Sequence, residues 1–402
     1  MKRTIFTLIC FLVIIGFSNA QSWIMKSPVY DYGRRTTGGV TMNGKGYMGL
    51  GLICDGSYVN DFWEYDTLTD SWMQLTSYPG DGPLDCIWFA INGKIYVGLG
   101  LSATQVCQYD LWEYNRLTNT WTKKRDFPGM ARYGAGCFVI GDSAFVVAGS
   151  YYNGNDYLYD MYLYNPATDT WKQKADFPGG KRAWGAPFSI GGSGYFGVGF
   201  SSTYTQEKDF WKYDPVSNSW TPIPNFPGMA RAANCFVTGN SGYIGFGTNN
   251  IDFFHDIWGY TPSTNSWSQL NVPANLPERS ACFTFSFGDK AYIGNGINGT
   301  GILTDLWEFR PGASTGIVNH DQPSLLRVYP NPATYKITIN LPLSVDLNQT
   351  EVSVYNAQGK RLLQKPLLMQ RVDLGLEDLP AGFYLLKVVS RESTMTARFI
   401  KE

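Results

Sequence analysis

One short phrase recurs along the chain and constrains its fold more than any other feature. It consists of Asp, an apolar residue, an aromatic, any residue and an aromatic, with a Trp eleven positions after the Asp. It reads Asp61-Phe62-Trp63-Glu64-Tyr65 to Trp72, Asp110-Leu111-Trp112-Glu113-Tyr114 to Trp121, and Asp160-Met161-Tyr162-Leu163-Tyr164 to Trp171. Two more copies run from Asp209 to Trp220 and from Asp256 to Trp267, and a sixth, Asp305-Leu306-Trp307-Glu308-Phe309, has no closing Trp. A constant Asp-to-Trp distance is the behaviour of a hairpin whose register is set.

A second block repeats between the phrases. Cys86 to Ile91 reads as a strand, Asn92-Gly93 as a hairpin turn, and Ile95 to Gly100 as a second strand ending on glycine. Later copies end at Gly149, Gly199, Gly247 and Gly296, and an earlier one at Gly51. Each unit is thus four short antiparallel strands, labelled a to d from the inside outwards. The period is 49, 50, 49, 47 and 49 residues between the aromatics two places after each Asp. A sheet of that size cannot cover both its faces, whereas stacking around an axis covers them, so each unit reads as a propeller blade. Six phrases predict six blades in an all-β chain.

The ends predict how the ring shuts. The last unit lacks its Trp, while Ser22-Trp23 matches Ser71-Trp72, and Trp23 lies 49 residues before Trp72. Residues 21–30 are therefore expected to supply strand d of the last blade, which removes the open edge.

Composition agrees with this reading and sets the compartment. Aromatics make up 16% and charged residues 16%, with 44 glycines, a balance that favours a turn-rich β protein. The formal net charge is -1 with no basic stripe, so no nucleic-acid partner is expected. Lys2 and Arg3, an apolar run from Ile5 to Phe17 and Ser18-Asn19-Ala20 form a secretory signal peptide over residues 1–20. The run is shorter than the ~20 residues that span a bilayer, so no membrane span is expected in the mature chain. Six cysteines remain after residue 20. Cys137 and Cys235 share one repeat position, and Cys86 and Cys282 another, which suits small buried thiols. Cys54 and Cys107 fall in corresponding loops of neighbouring units and are the one disulfide expected.

With glycine ending strand b and Tyr and Trp spaced along the outer strands, residues 21–310 resemble kelch repeats, although the family's Gly-Gly pair is mostly Gly-x-Gly here, as in Gly49-Leu50-Gly51. Residues 311–323 read as a linker. Beyond it Trp disappears, and seven strand-like runs fall at 325–329, 336–341, 351–355, 361–364, 371–374, 382–389 and 396–400, suggesting a small Ig-like sandwich over 324–402. Tyr329-Pro330-Asn331-Pro332, Asn356 to Gly359-Lys360, Leu379-Pro380-Ala381-Gly382-Phe383-Tyr384 and Lys401 are similar to the C-terminal sorting domain of type IX secretion substrates. That resemblance implies a Bacteroidetes-like cell, the type IX machinery as partner, and delivery to the outer surface or the medium.

Repetition argues against catalysis by the phrase itself. Six equivalent aspartates are not one reaction centre, and Arg34, Arg132, Arg182, Arg231 and Arg279 recur as well, with Pro83 in that place in unit two. Asp–Arg bracing between blades and Trp packing between sheets are the expected roles. The chain holds only His255 and His320. No histidine-based metal site is therefore expected, and the kelch resemblance does not extend to the copper radical oxidases, which need paired histidines and a cysteine-linked tyrosine. No cofactor is expected. Function is sought in residues that differ from blade to blade near the channel mouth, namely Arg35, Thr36, Asp85, Tyr133, Trp184 and Ser280, with Tyr151, Tyr152, Tyr157, Tyr204, Glu207, Phe253, Phe254 and His255 from the loops after strand b. Aromatics mixed with Arg and Asp suit a glycan or protein ligand, and an exported, non-catalytic binding module is expected. The alternative is a carbohydrate-active enzyme on the same scaffold, such as a sialic-acid mutarotase-like epimerase, with Asp85 or Glu207 as general acid or base. Deleting residues 325–402 is expected to hold the protein in the periplasm, as read by cell fractionation, and normal surface appearance of the truncated chain would contradict the sorting assignment.

Overall fold

The computed structural model describes residues 21–29, 33–81, 83–151, 156–201, 205–229, 231–312, 327–329, 332–341, 347, 350–356, 360–390 and 394–402. The expected signal peptide, Tyr152, Tyr204, Pro330, Asn331 and Gly359 lie outside the described residues. The chain divides into two compact units, Met1–Val318 and Asn319–Glu402.

The first unit is a ring of six blades. Blade one consists of strands Gly38–Met42, Lys45–Gly49, Phe62–Asp66 and Ser71–Leu75, each paired antiparallel with the next. Blades two, four and five repeat that order with strand a at Ile87–Ile91, Ala186–Ile190 and Ala232–Thr238. In blade three the b–c hairpin is longer, Ser143–Tyr151 with Asp156–Asn165, and it pairs onward with the short strands Arg182–Ala183 and Phe200–Ser201 of blade four. Every a strand touches the a strands on both sides of it, so these six strands encircle the axis.

Closure follows the sequence. Ser22–Lys26 pairs antiparallel with Leu306–Arg310 as strand d of blade six, and Trp23 stands opposite Phe309 as Trp72 stands opposite Tyr65. Each d-strand Trp donates its indole N–H to a backbone carbonyl of the preceding blade. Trp72 reaches Ser27 at 3.0 Å, Trp121 reaches Thr76 at 2.9 Å and Trp171 reaches Arg125 at 3.0 Å. Trp220 reaches Ala175 at 3.1 Å, Trp267 reaches Pro224 at 2.9 Å, and Trp23 completes the circle on Asn271 at 3.3 Å. The expected Trp packing is therefore joined by a hydrogen bond at each of the six seams.

The hydrophobic core lies between blades. One cluster joins Phe62 and Tyr47 of blade one to Ile95, Val97 and Tyr114 of blade two, and another joins Phe236, Tyr243 and Ile257 of blade five to Ile293, Trp307 and Phe309 of blade six, with Trp23 against it. The first–sixth interface is filled by Tyr65, Met48, Phe285 and Tyr292. Fully burying a side chain of this size contributes roughly 1.5–3 kcal/mol, so a blade without neighbours would forfeit most of its stabilisation.

In the second unit, strands Arg327–Tyr329, Lys336–Asn340 and Arg371–Gly375 form one sheet, and Arg361–Pro366, Glu351–Asn356, Gly382–Val389 and Thr394–Lys401 form another. Ile337, Ile339 and Leu374 from the first share a core with Val352, Val354, Leu386, Val388 and Phe399 from the second. The motif residues serve this packing. Tyr384 stacks on Phe399 and donates its hydroxyl to the Pro380 carbonyl at 2.6 Å, Gly382 pairs with Lys401, and the Leu379 N–H bonds the Leu376 carbonyl.

Replacing Trp23 by Ala removes the seam hydrogen bond and the ring packed 4.6 Å from Phe309. The expected loss is about 3 kcal/mol by urea denaturation. Truncating residues 21–30 is expected to lower the melting temperature further, and an unchanged value would contradict this closure.

Candidate functional site

The site is built on the repeated arginine. Arg132 places its two terminal nitrogens 2.6 and 2.9 Å from the oxygens of Asp160 and also donates to the Ala148 carbonyl at 2.9 Å. Arg34 holds Asp61 in the same bidentate way, Arg279 holds Asp305, Arg182 bonds Asp209 at 2.7 Å, and Arg231 pairs with Asp256. Each Asp lies in the arginine's own blade, so the side-chain brace expected between blades acts within one. The main chain makes the link between blades. The N–H of Gly100 bonds the Arg132 carbonyl at 2.8 Å, and Gly199, Gly247 and Gly296 likewise bond Arg231, Arg279 and Arg34 at 2.8, 2.7 and 2.8 Å. These glycines require their residue type. Gly199 has φ +88°, and a Cβ there would lie 2.5 Å from the Ala183 carbonyl oxygen.

Two residues past the arginine position the chain turns sharply in five of the six blades, blade five being the exception. Thr36, Asp85, Gly134, Trp184 and Ala281 have φ between 49° and 60°. In a non-glycine residue this conformation is strained and persists only when its surroundings over-determine it. Here main-chain hydrogen bonds hold it. Thr36 N–H bonds the Ala281 carbonyl at 2.9 Å, Asp85 bonds Thr36 at 3.3 Å, Gly134 bonds Asp85 at 2.9 Å, and Trp184 bonds Gly134 at 2.9 Å. A collar of backbone thus runs from blade six through blade four around the channel mouth.

Inside the collar is a cavity of about 430 Å³. Its wall contains, from every blade, the residues two and three places past the arginine position. The first set is Thr36, Asp85, Gly134, Trp184, Ala233 and Ala281, and the second is Thr37, Cys86, Ala135, Gly185, Asn234 and Cys282. Tyr157, Phe200, Ala232, Thr248, Asn250 and Ser280 complete it. The wall is uneven. Acid and aromatics gather on blades two to four, whereas small hydroxyls and amides occupy blades five, six and one.

Asp85 and Trp184 join across this space. The Trp184 indole N–H donates to Asp85 Oδ2 at 3.0 Å, linking blade four to blade two. Gly134, between them, has no room for a side chain, since a Cβ there would stand 2.9 Å from that indole nitrogen. Tyr133, Tyr157 and Phe200 meet the Trp184 ring edge-on with centroids 5.5, 6.0 and 6.0 Å away, which fixes its plane. Burial pushes the Asp85 carboxyl up to about 6, outweighing the indole hydrogen bond and the nearby Arg35 charge that favour ionisation. Asn234 presents a buried amide nitrogen with no hydrogen-bond partner among the described residues, and Arg35 a buried Nε in the same condition. The cavity therefore pairs an acceptor, Asp85, with a donor, Asn234. Burial raises the thiols of Cys86 and Cys282 to about 12, so neither is a thiolate nucleophile at neutral pH.

Of the residues singled out from the sequence, Thr36, Asp85, Tyr157, Trp184 and Ser280 line this cavity, Arg35 acts on Asp85 through its charge, and Tyr133 supports Trp184. Glu207 does not line it; its carboxylate accepts the Thr205 hydroxyl at 3.1 Å in the adjoining loop. Phe254 is likewise absent from the wall and lies over the Arg231 guanidinium, and His255 bonds the Leu276 carbonyl. Asn234, Asn250 and Phe200 escaped notice. For Asn234 the available signal was the arginine offset, which extends to three places past the arginine; Asn250 and Phe200 lie in the loops after strand b. The expected Cys54–Cys107 bridge is not formed; all six cysteines after residue 20 are free thiols. Among the described residues no group of three or more His, Cys, Asp or Glu side chains could hold a metal ion, and no helix is long and apolar enough to cross a membrane.

Two family models match the chain. One, described as KLHDC2/KLHL20/DRC7 Kelch-repeats domain, covers residues 40–231, and the other, Secretion system C-terminal sorting domain, covers 327–402. No curated protein matches. Among solved structures, one titled "Structure of YjhT" is similar at 18% identity and a TM-score of 0.60, over 70% of this chain and 95% of that one, a likeness of fold alone.

The Asp85 carboxyl, near 6 in the folded chain and near ~3.9 unfolded, is neutral in both states below pH ~4. As pH rises from ~4 through ~6, the unfolded chain ionises first and folded stability falls. Urea midpoints between pH 4 and 7 are expected to show this decline in the parent protein and to lose it in Asp85→Asn.

Proposed function

Because this chain is an exported kelch-repeat propeller protein carrying a type IX sorting domain, we propose that it is a surface or secreted binding module whose channel-mouth cavity takes a neutral, hydroxyl-rich ligand, such as the terminal residue of a glycan. The observation that carries this reading is the pairing of Asp85 with Trp184 opposite the unpartnered Asn234 amide, in a cavity of about 430 Å³. That volume is in the range of small-ligand sites and favours a sugar over a protein surface. A carboxylate takes hydroxyl donors, an amide N–H meets hydroxyl oxygens, and aromatic walls accept the C–H face of a sugar ring. The proximity of Arg35 offsets the Asp85 charge, which suits an uncharged ligand.

A second reading, proton transfer on a bound sugar as in mutarotation, draws on the Asp85 carboxyl near 6, a value suited to a general acid or base. Among the described residues Asp85 is the one carboxylate of the cavity wall. A glycan array on the mature protein, followed by calorimetry, is expected to find a ligand whose affinity falls at least tenfold in Asp85→Ala and Asn234→Ala, with a normal fold by circular dichroism. Polarimetry or saturation-transfer NMR on free sugars separates the readings. Turnover lost in Asp85→Ala would replace the binding module with the enzyme, and binding unaffected by both substitutions would remove the cavity from either account.

A further inference from the structure

We infer that the second unit is recognised through one face, the outer side of its four-stranded sheet around Phe383 and Leu385, and that the secretion machinery meets this face with an apolar protein surface rimmed by carboxylates. A domain of the sorting family has to be read by a partner, and the alternation along the strand Gly382–Val389 marks the surface. Tyr384, Leu386 and Val388 are buried in the domain core. Along an antiparallel strand with one face in water, the residues between them are polar. Here they are Phe383, Leu385, Lys387 and Val389, and Phe383 is 71% exposed. Apolar residues on both faces are the pattern of a strand covered on both.

The register makes these residues contiguous. Leu385 stands opposite Tyr355 in the strand on one side, and Phe383 stands opposite Ile400 in the strand on the other. Tyr355 and Ile400 are half-buried, so four apolar or aromatic side chains share one end of the face. The other sheet of the domain supplies the comparison. Its outer side carries Lys336, Thr338 and Asp373, and the Asp373 carboxylate accepts the Lys336 ammonium at 2.6 Å and the Thr338 hydroxyl at 2.7 Å. That face is polar and satisfied within the domain. The motif that resembles the sorting signal divides in the same way. Leu379 and Tyr384 pack on the core, whereas Phe383, between Gly382 and Tyr384, turns outward.

Charge selects the partner. Arg361 stands opposite Tyr355, and Lys387 lies between Leu385 and Val389 on the same face. Among the described residues the carboxylate of this face is Glu351, which lies at the far end opposite Val389 and accepts the Gln364 amide at 2.5 Å. The apolar end is therefore bordered by cations alone. A two-fold pairing of two copies centred on Phe383 and Leu385 would gather both Arg361 and both Lys387 side chains around one contact, and like charges brought together there cost free energy. An apolar surface with carboxylates at its rim complements both features.

Sorting of the full chain in a host that carries the type IX machinery tests this. Phe383→Asn and Leu385→Asn are each expected to lower the fraction reaching the surface and medium about tenfold and to leave folded chain in the periplasm. Arg361→Glu, which alters charge at an exposed side chain, is expected to act in the same direction, and Lys336→Gln on the opposite sheet is expected to leave sorting unchanged. Melting curves of the purified variants verify folding, and if the two Asn variants do not fold, Arg361→Glu decides. Normal sorting of the variants on this face, or an equal loss in Lys336→Gln, overturns the inference. A parent dimer that Leu385→Asn dissociates in sedimentation would assign the face to a second copy. Binding of the parent to anionic phospholipid vesicles that Leu385→Asn abolishes would assign it to a membrane, and either result also overturns the inference. None of these outcomes bears on ligand binding at Asp85.

Discussion

One buried guanidinium in each of five blades ties the propeller together. Its side chain grips the Asp of its own blade, while, in the seams of Gly100, Gly199, Gly247 and Gly296, a glycine N–H of one blade bonds the main-chain carbonyl of the next blade's arginine. Two charges removed from water at 0–4% and 19–28% side-chain exposure are favourable only when hydrogen-bonded as fully as these are. That demand fixes where each blade's incoming segment lies. The collar residues follow two places later, so their strained backbone, and the cavity it encloses, inherit their position from the arginine.

Much of this was legible from residue order. The fixed Asp-to-Trp distance gave the outer hairpin, the period gave the blade count, and the unfinished phrase at Asp305 together with Trp23 gave the closing strand, now seen paired with Leu306–Arg310. The seven strands of the second unit fell within about two residues of their expected bounds because alternation of buried and exposed positions is a local signal. What the sequence hid depends on backbone turns. A left-handed residue at Thr36 or Trp184 redirects the two side chains that follow the arginine, so the wall begins one position later than an extended strand would place it. In blade five the displacement comes instead from a register shift between Ala232 and Asn234, which left Asn234 looking like an ordinary strand residue. Gly-x-Gly likewise became intelligible only with Leu50, Leu99, Ala148, Val198, Phe246 and Asn295 all at positive φ.

Repetition and function divide the molecule between them. The positions that repeat, Asp, Arg, Gly and Trp, carry the ring, and they are uniform but for Pro83 in the arginine place of blade two. The collar positions repeat in backbone but vary in side chain, from Asp85 to Ala281. A symmetric scaffold thereby presents an asymmetric wall, with the one carboxylate of that wall set by an indole from two blades away. The long b–c hairpin of blade three contributes Tyr157, and the paired strand of blade four contributes Phe200, so the extended sheet that joins these blades also serves this wall. Sorting chemistry is confined to the other unit, where Pro380, Gly382 and Tyr384 shape one hairpin entry.

The central claim is that the wall within the collar recognises a sugar. Crystals of the mature chain soaked with a panel of free monosaccharides test it most directly. The account predicts ring density within hydrogen-bonding distance of Asp85 and Asn234, with a face toward the aromatic wall. Density confined to the outer c–d turns, or an empty cavity across the whole panel, would contradict it.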